Sequence, residues 1–225
     1  MLDEYQKLEL QNKGYVHLEQ LQVTKEFKET AINKSTSLND RYYNEGMDIH
    51  NEYYENYNLQ ELTKDLINIA RDMYGYKCDI NDIYKITRIV GDKVSSEHYR
   101  FHFDSHLFTL VTPIYLPETN SNHNGELILF PNVRKNPKLE IINICQKIYF
   151  KQFSGEDGFR RLSKKYIPHE FNFQNSVPLL FLGRECLHGN HPFKSEKKRI
   201  TMLTHFFDPS GNFSIGNILR KIRNR

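Results

Sequence analysis

After Cys78 the chain breaks into short apolar runs, each closed by a turn signal. Ile83–Val90 ends at Gly91-Asp92, Phe108–Leu116 at Pro117, Gly125–Phe130 at Pro131, and Val177–Leu182 at Gly183. Glu97–Asp104, Glu185–His188 and Arg199–Phe207 read as further strands. Many short strands separated by turn residues, following helical material, predict a mainly β architecture with flanking helices: a double-stranded β-helix, or cupin-like jelly roll. Pro113 lies inside one predicted strand, and a proline there argues for an edge or a bulge.

The first part of the chain has a different texture. Residues 3–13 read as a short amphipathic helix stopped by Gly14, with a first strand at Tyr15–Leu18. Residues 24–57 are polar and lack clear periodicity, so loops and short helical turns are expected there, with the character of a lid. Leu59, Leu62, Leu66, Ile67, Ala70 and Met73 recur at helical spacing and predict a helix over 58–75. Residues 137–167 read as a helix plus an excursion, and 215–223 as a small helix. The expected organisation is one domain over 1–225: a helical and loop support at 1–77, the jelly-roll core at 78–207 and a tail at 208–225.

Within that frame the segment Arg100-Phe101-His102-Phe103-Asp104 stands out. In extended chain, side chains alternate faces, so His102 and Asp104 share one face while Phe101 and Phe103 share the other. One strand can thereby offer two metal ligands without disturbing its packing. A third ligand from a distant strand would complete a 2-His-1-carboxylate set, the arrangement used by non-haem Fe(II). His188 follows the apolar run Val177–Leu182, where it can point into a barrel, and Gly189 leaves room beside it. Arg199 and Thr201 share a face of the last predicted strand. A guanidinium among Ile200, Met202 and Leu203 needs an anionic partner. A carboxylate bound bidentately would serve, as would a protein acid such as Glu126 or Asp208.

His102, Asp104, His188 and Arg199, in this order on predicted strands, resemble the Fe(II)/2-oxoglutarate-dependent oxygenase superfamily over roughly residues 80–207. The opening Leu10–Leu18 is similar to the helix-to-strand entry of prolyl-hydroxylase-like and phytanoyl-CoA-hydroxylase-like members. The resemblance implies that His102, Asp104 and His188 bind Fe(II). It implies that Arg199 grips the distal carboxylate of 2-oxoglutarate, with Thr201 at the hydroxyl position beside it. Tyr99 and Tyr115 fall where prolyl-hydroxylase-like members place tyrosines near the co-substrate. The implied cofactors are Fe(II), 2-oxoglutarate and O2, and the implied activity is a dioxygenase. A carboxylate ligand at Asp104 favours hydroxylation or desaturation over halogenation. The segment between Phe130 and Val177 is longer than in compact members, and Phe130-Pro-Asn132 departs from the phytanoyl-CoA-hydroxylase-like pattern, which leaves the branch open. The competing readings are a cupin-type metal enzyme of another class and a non-catalytic metal- or ligand-binding jelly roll.

The remaining histidines are expected in supporting or solvent positions: His106 at the pocket or turned to solvent, His205 in the pocket, His191 at its rim, and His98, His123 and His169 exposed. The chain carries 31 basic and 28 acidic residues, a net charge of +3. That balance, with no basic aromatic stripe, argues against nucleic acid as partner. A small-molecule or lipid-like substrate is preferred, with a protein side chain second. Cys78, Cys145 and Cys186 lack metal or redox spacing, no apolar run reaches transmembrane length and no secretory signal is visible, so a cytoplasmic protein is expected. Residues 24–57 and 132–176 are the expected specificity elements.

Overall fold

The computed structural model describes residues 1–36, 42–44, 48–90, 98–117, 123–173, 175–193 and 198–209. The expected helix at 215–223, and the expected tail beyond residue 209, lie outside them. Two antiparallel sheets form the frame. The larger has the order β1-β7-β4-β9-β3-β2, built from β1 (Tyr15–His17), β2 (Tyr42–Asn44), β3 (Ile83–Val90), β4 (Phe108–Tyr115), β7 (Leu179–Leu182) and β9 (Arg199–Phe206). The smaller has the order β6-β5-β8, from β5 (Leu127–Phe130), β6 (His169–Phe171) and β8 (Leu187–Asn190). Neighbours in each sheet are distant in sequence, the strand-crossing pattern of a jelly roll, as the punctuated apolar runs predict.

The larger sheet has two working faces, and strand parity assigns them. On β9, Arg199, Thr201, Leu203 and His205 line a cavity, while Ile200, Met202 and Phe206 pack into the main core. On β4, Thr109 and Val111 line the cavity, and Phe108 and Leu110 belong to the core. Helices cover the core face. Helix α1 (Glu4–Lys13) packs on β1 and β7, α2 (Lys25–Thr36) on β4 and α3 (Asp48–Asn56) on β3, while α4 (Leu59–Tyr74) packs against α3. Thr112 donates to the Tyr53 hydroxyl at 3.1 Å, and His50 Nε2 meets Thr204 Oγ1 at 3.1 Å, so these two buried threonines have partners from α3.

Local signals account for the best-placed elements. Asp3 caps α1 by accepting from the Gln6 amide at 2.7 Å, and the Gln6 side-chain oxygen in turn accepts from the Asp3 amide. Gly14 ends the helix with φ 84°, and a Cβ there would lie 2.6 Å from Asn132 Oδ1. Pro113 lies on a central strand, and the pairing with β9 shifts register between Pro113 and Tyr115; of the two expected solutions the chain uses the bulge.

Three expectations need correction. Residues 24–57 are largely α2 and α3 rather than loops: Phe27, Ala31, Ile49 and Tyr53 are buried, and tertiary packing supplies the order that periodicity did not display. Glu97–Asp104 is not a continuous strand. Within its described part only His98 and His102 make isolated bridges, to Asn190 and His188, and Tyr99 at φ 52° breaks the extended run. Residues 137–167 form two helices, α5 (Glu140–Lys151) and α6 (Glu156–Ser163).

His50 offers a test of the helix-to-sheet packing. Burial, with Lys85 and His205 adding to it, pushes its imidazole down to about 3. Below the ordinary histidine value the unfolded chain takes up a proton that the native state refuses, so stability falls as pH drops from about 6.5 towards 3. The expected slope from this residue is up to about 1.4 kcal/mol per pH unit. His50→Gln should flatten that part of a melting-temperature profile measured between pH 7 and 4; an unchanged slope would assign the loss to other groups.

Candidate metal centre and cavity

His102 and Asp104 reach the cavity although their segment is not a regular strand. His102 exchanges both backbone hydrogen bonds with His188, each at 3.0 Å, which holds the two imidazoles side by side at a ring-centre distance of 4.3 Å. Two residues on, the Asp104 amide donates to the Gly183 carbonyl at 2.9 Å. A Cβ on Gly183 would stand 2.8 Å from the His106 carbonyl and 3.0 Å from Asp104 Cβ, so the turn after β7 admits the Asp104 backbone only because that residue is glycine. Phe101 and Phe103 are buried with Ile128, Phe130, Phe150, Leu162 and Leu187 in a second apolar cluster. The alternation read from the sequence therefore survives without the strand: aromatics anchor one side and ligand-type side chains occupy the other.

One ligand atom from each of His102, Asp104 and His188 lies within 4.8 Å of the other two. The imidazole tautomers follow from their partners. His102 Nδ1 meets the Arg100 carbonyl at 3.0 Å and His188 Nδ1 meets the Cys186 carbonyl at 3.2 Å. A carbonyl only accepts, so each Nδ1 carries the hydrogen and each Nε2 is left with its lone pair. Those Nε2 atoms stand 3.8 and 3.7 Å from the two oxygens of Asp104. Two outward lone pairs and a carboxylate, with backbone partners fixing the rings, fit a divalent first-row metal ion.

Asp104 is also held from behind. Thr109 Oγ1 donates to its Oδ2 at 2.5 Å, and because that hydroxyl donates, it must accept from His205 Nδ1 at 3.0 Å. Burial opposes charge on Asp104, but the imidazoles of His188, His205 and His102 and the Thr109 hydroxyl outweigh it and hold the carboxyl far below the usual range. The enclosing cavity walls and the neighbouring His188 disfavour a proton on His102 and hold its imidazole below the ordinary value, although its side chain stays open to the cavity. The pair is thus a neutral imidazole beside an ionised carboxylate, the protonation states that metal ligation requires.

The surrounding cavity encloses about 1030 Å³ between the two sheets. Arg199 and Thr201 line it from β9, both nearly buried, and the Arg199 guanidinium donates to the Gly125 carbonyl. His106 and His205 also line it and stack, with ring centres 5.0 Å apart. The cavity lining does not include Tyr99 or Tyr115. Tyr99 stacks on Phe159 and its hydroxyl meets His191 Nδ1 at 3.2 Å; Tyr115 packs at the margin of the main core. Tyr99 has the parity of Phe101 and joins the apolar cluster of Phe101 and Phe103 rather than the cavity. His191 is buried rather than at a rim, with Nε2 3.1 Å from Glu170 and its ring stacked on His123. His98 and His169 are half-buried rather than exposed, His169 Nδ1 meeting the Tyr15 hydroxyl at 2.9 Å.

Sequence reasoning missed the wall supplied by α5. Lys147 and Lys151 line the cavity from this helix. Two buried arginines fix it there. Arg184 donates to Glu140 at 2.9 Å and to the Ser105 carbonyl at 3.2 Å; Arg134 donates to Asn143 at 2.7 Å and to the Arg184 carbonyl at 2.6 Å, with its guanidinium over the Phe103 ring. The spacing Lys147–Lys151, i and i+4 on one face, was the available signal. Thr109 was similarly legible as the polar residue sharing a face with Val111.

No protein-family model and no curated protein sequence matches this chain. Its fold is nevertheless found among solved structures. A prolyl-4-hydroxylase from Pseudomonas putida superposes with a TM-score of 0.52 at 11% identity, over 90% of this chain and 96% of that one. A prolyl hydroxylase from Trichoplax adhaerens, in complex with a hypoxia inducible factor oxygen degradation domain peptide fragment, gives 0.55 at 13% identity, over 90% and 87%. HygX from Streptomyces hygroscopicus, with nickel and 2-oxoglutarate bound, gives 0.54 at 13% identity, over 92% and 87%. The chain has the jelly-roll fold of these proteins. At such identities the likeness is one of fold, and the chemistry has to be argued from the site.

Thr109→Val should remove the hydrogen bond that braces Asp104 while keeping the shape of β4. Metal affinity, read by titration of Mn(II) or Co(II), is expected to weaken by about tenfold to a hundredfold, the usual cost of losing a ligand's supporting partner. Unchanged affinity would show that the brace plays no part.

Proposed function

We propose that this protein is an Fe(II)- and 2-oxoglutarate-dependent dioxygenase. The observation that carries the reading is the convergence of His102, Asp104 and His188 in one cavity with Arg199 and Thr201. His102, Asp104 and His188 would hold the iron. Iron bound there with 2-oxoglutarate supplies dioxygen activation, coupling oxidative decarboxylation of 2-oxoglutarate to succinate and CO2 with oxidation of the substrate.

The chain's own residues bind, orient and shield. Arg199 would grip the distal carboxylate of 2-oxoglutarate in a bidentate pair, and Thr201 would add a hydroxyl donor from the same strand face. The Gly125 carbonyl orients the guanidinium, and a side chain at Gly125 would stand 2.6 Å from Arg199 Nη1, so the glycine keeps the anchor's place open. Val111, Leu127, Phe181 and Leu203 supply apolar walls that limit water and strengthen the charge pairing. The Asp104 carboxylate completes the protein's ligand set and favours hydroxylation or desaturation. A small-molecule or lipid-like substrate is favoured over a protein side chain, because the cavity lies between the sheets with α5 as one wall.

Purified protein given Fe(II), ascorbate and 2-oxoglutarate is expected to form succinate slowly without substrate, and His102→Ala should abolish this. Arg199→Ala should weaken 2-oxoglutarate binding by about a hundredfold, equivalent to about 3 kcal/mol, while leaving metal affinity within about twofold. Absence of both 2-oxoglutarate binding and succinate formation in the wild type would overturn the proposal in favour of a differently reacting or non-catalytic jelly roll.

A further inference from the structure

The proposed chemistry does not explain the position of Lys147. It projects from α5 into the cavity, and its ammonium donates to Ser105 Oγ at 2.9 Å, one residue beyond Asp104. Among the described residues no carboxylate lies within ion-pair distance of it. Burial pushes it down to about 8, opposed by the more distant charge of Asp104. That carboxylate is already matched by three imidazoles and a hydroxyl and, on the reading above, by a metal ion. A desolvated ammonium whose only close partner is a neutral hydroxyl is costly to maintain, and an anion arriving with the ligand would offset that cost.

The helix and its neighbourhood extend the same charge. Lys151, one turn on from Lys147, and Arg100, two residues before His102, also line the cavity. Neither makes an ion pair with a described residue. The acids nearest α5 have other partners. Glu140, the acid on its own helix, is taken by Arg184 and by Asn143, and Glu185 accepts from the Asn136 amide at 3.2 Å. Glu140 helps to hold the helix and Glu185 is engaged outside it, so neither neutralises the cavity-facing lysines.

We propose that the substrate carries an anionic group, a carboxylate or a phosphate, which Lys147 binds with help from Arg100 and Lys151 on the α5 side of the cavity. This rests on reading the cavity as the catalytic pocket and assigns that pocket its substrate class. The anion site is separate from the Arg199 anchor: Lys147 reaches in from the helix beside Ser105, while Arg199 stands on β9 beside Gly125. Electrostatic recognition of this kind selects charged over neutral ligands of equal shape.

The test measures binding without turnover, using metal-free protein titrated calorimetrically at low salt with phenyl phosphate, phenylacetate and the neutral benzyl alcohol. Either anion should bind at least fivefold more tightly than benzyl alcohol; whichever binds more tightly assigns the phosphate or the carboxylate source. Lys147→Met should weaken the preferred anion at least fivefold, Lys147→Arg should retain it, and Arg199→Ala should leave it within about twofold. Equal binding of the neutral probe, an effect of Lys147→Met below fivefold, or loss through Arg199→Ala would each overturn the proposal. If Lys147→Met does not fold, as judged by thermal melting, the exposed pair Arg100→Glu and Lys151→Glu serves instead, with the same fivefold criterion. A protein that binds the anion through Lys147 yet forms no succinate would retain the site and lose the oxygenase reading, so the two failures are distinguishable.

Discussion

A carboxylate taken out of water has to be compensated, and the way Asp104 is compensated organises this molecule. Its oxygens face the Nε2 atoms of His102 and His188 and receive the Thr109 hydroxyl. Each partner arrives from a different part of the chain: the irregular segment before β4, the strand β8, and β4 itself. His188 is in place only because the two sheets close against each other. The paired backbone hydrogen bonds of His102 with His188 and the amide of Asp104 on Gly183 convert that closure into fixed side-chain positions.

Packing carries the polar arrangement. Phe101 and Phe103 are driven into the second apolar cluster, so the residues between and after them must face the other way. On the far side, Arg184 and Arg134 form a buried platform that ties α5 to the Ser105 carbonyl, to the Arg184 carbonyl and to the ring of Phe103. The helix that walls the cavity is therefore connected, through one contiguous set of hydrogen bonds and ring contacts, to the segment that presents His102 and Asp104. Changes in α5 are expected to be felt at the site and the reverse.

Much of this was legible in the chain. Strands β3, β4, β5, β7 and β9 follow from apolar runs and their turn residues, and α1 and α4 from capping and helical spacing. His102, Asp104 and His188 could be picked out by alternation and by position after an apolar strand. What was not legible has a common cause. Helices α2 and α3 have weak intrinsic periodicity and owe their order to burial against β4 and β3. Tyr99 was placed near the co-substrate by resemblance, whereas strand parity groups it with Phe101 and Phe103, whose cluster it joins. The buried state of His191 depends on Tyr99, Glu170 and His123, contacts from three separate segments.

The sequence alone determined the class of fold and which side chains share a face, because alternation and turn chemistry are local properties of the backbone. Only the tertiary structure decided that His102 and Asp104 meet His188, that Thr109 and His205 brace the carboxylate, and that Lys147 enters the same cavity from helix α5. Those outcomes depend on distances between residues far apart in the chain. Such distances are set by how sheets and helices bury their apolar faces together, and no local pattern encodes them.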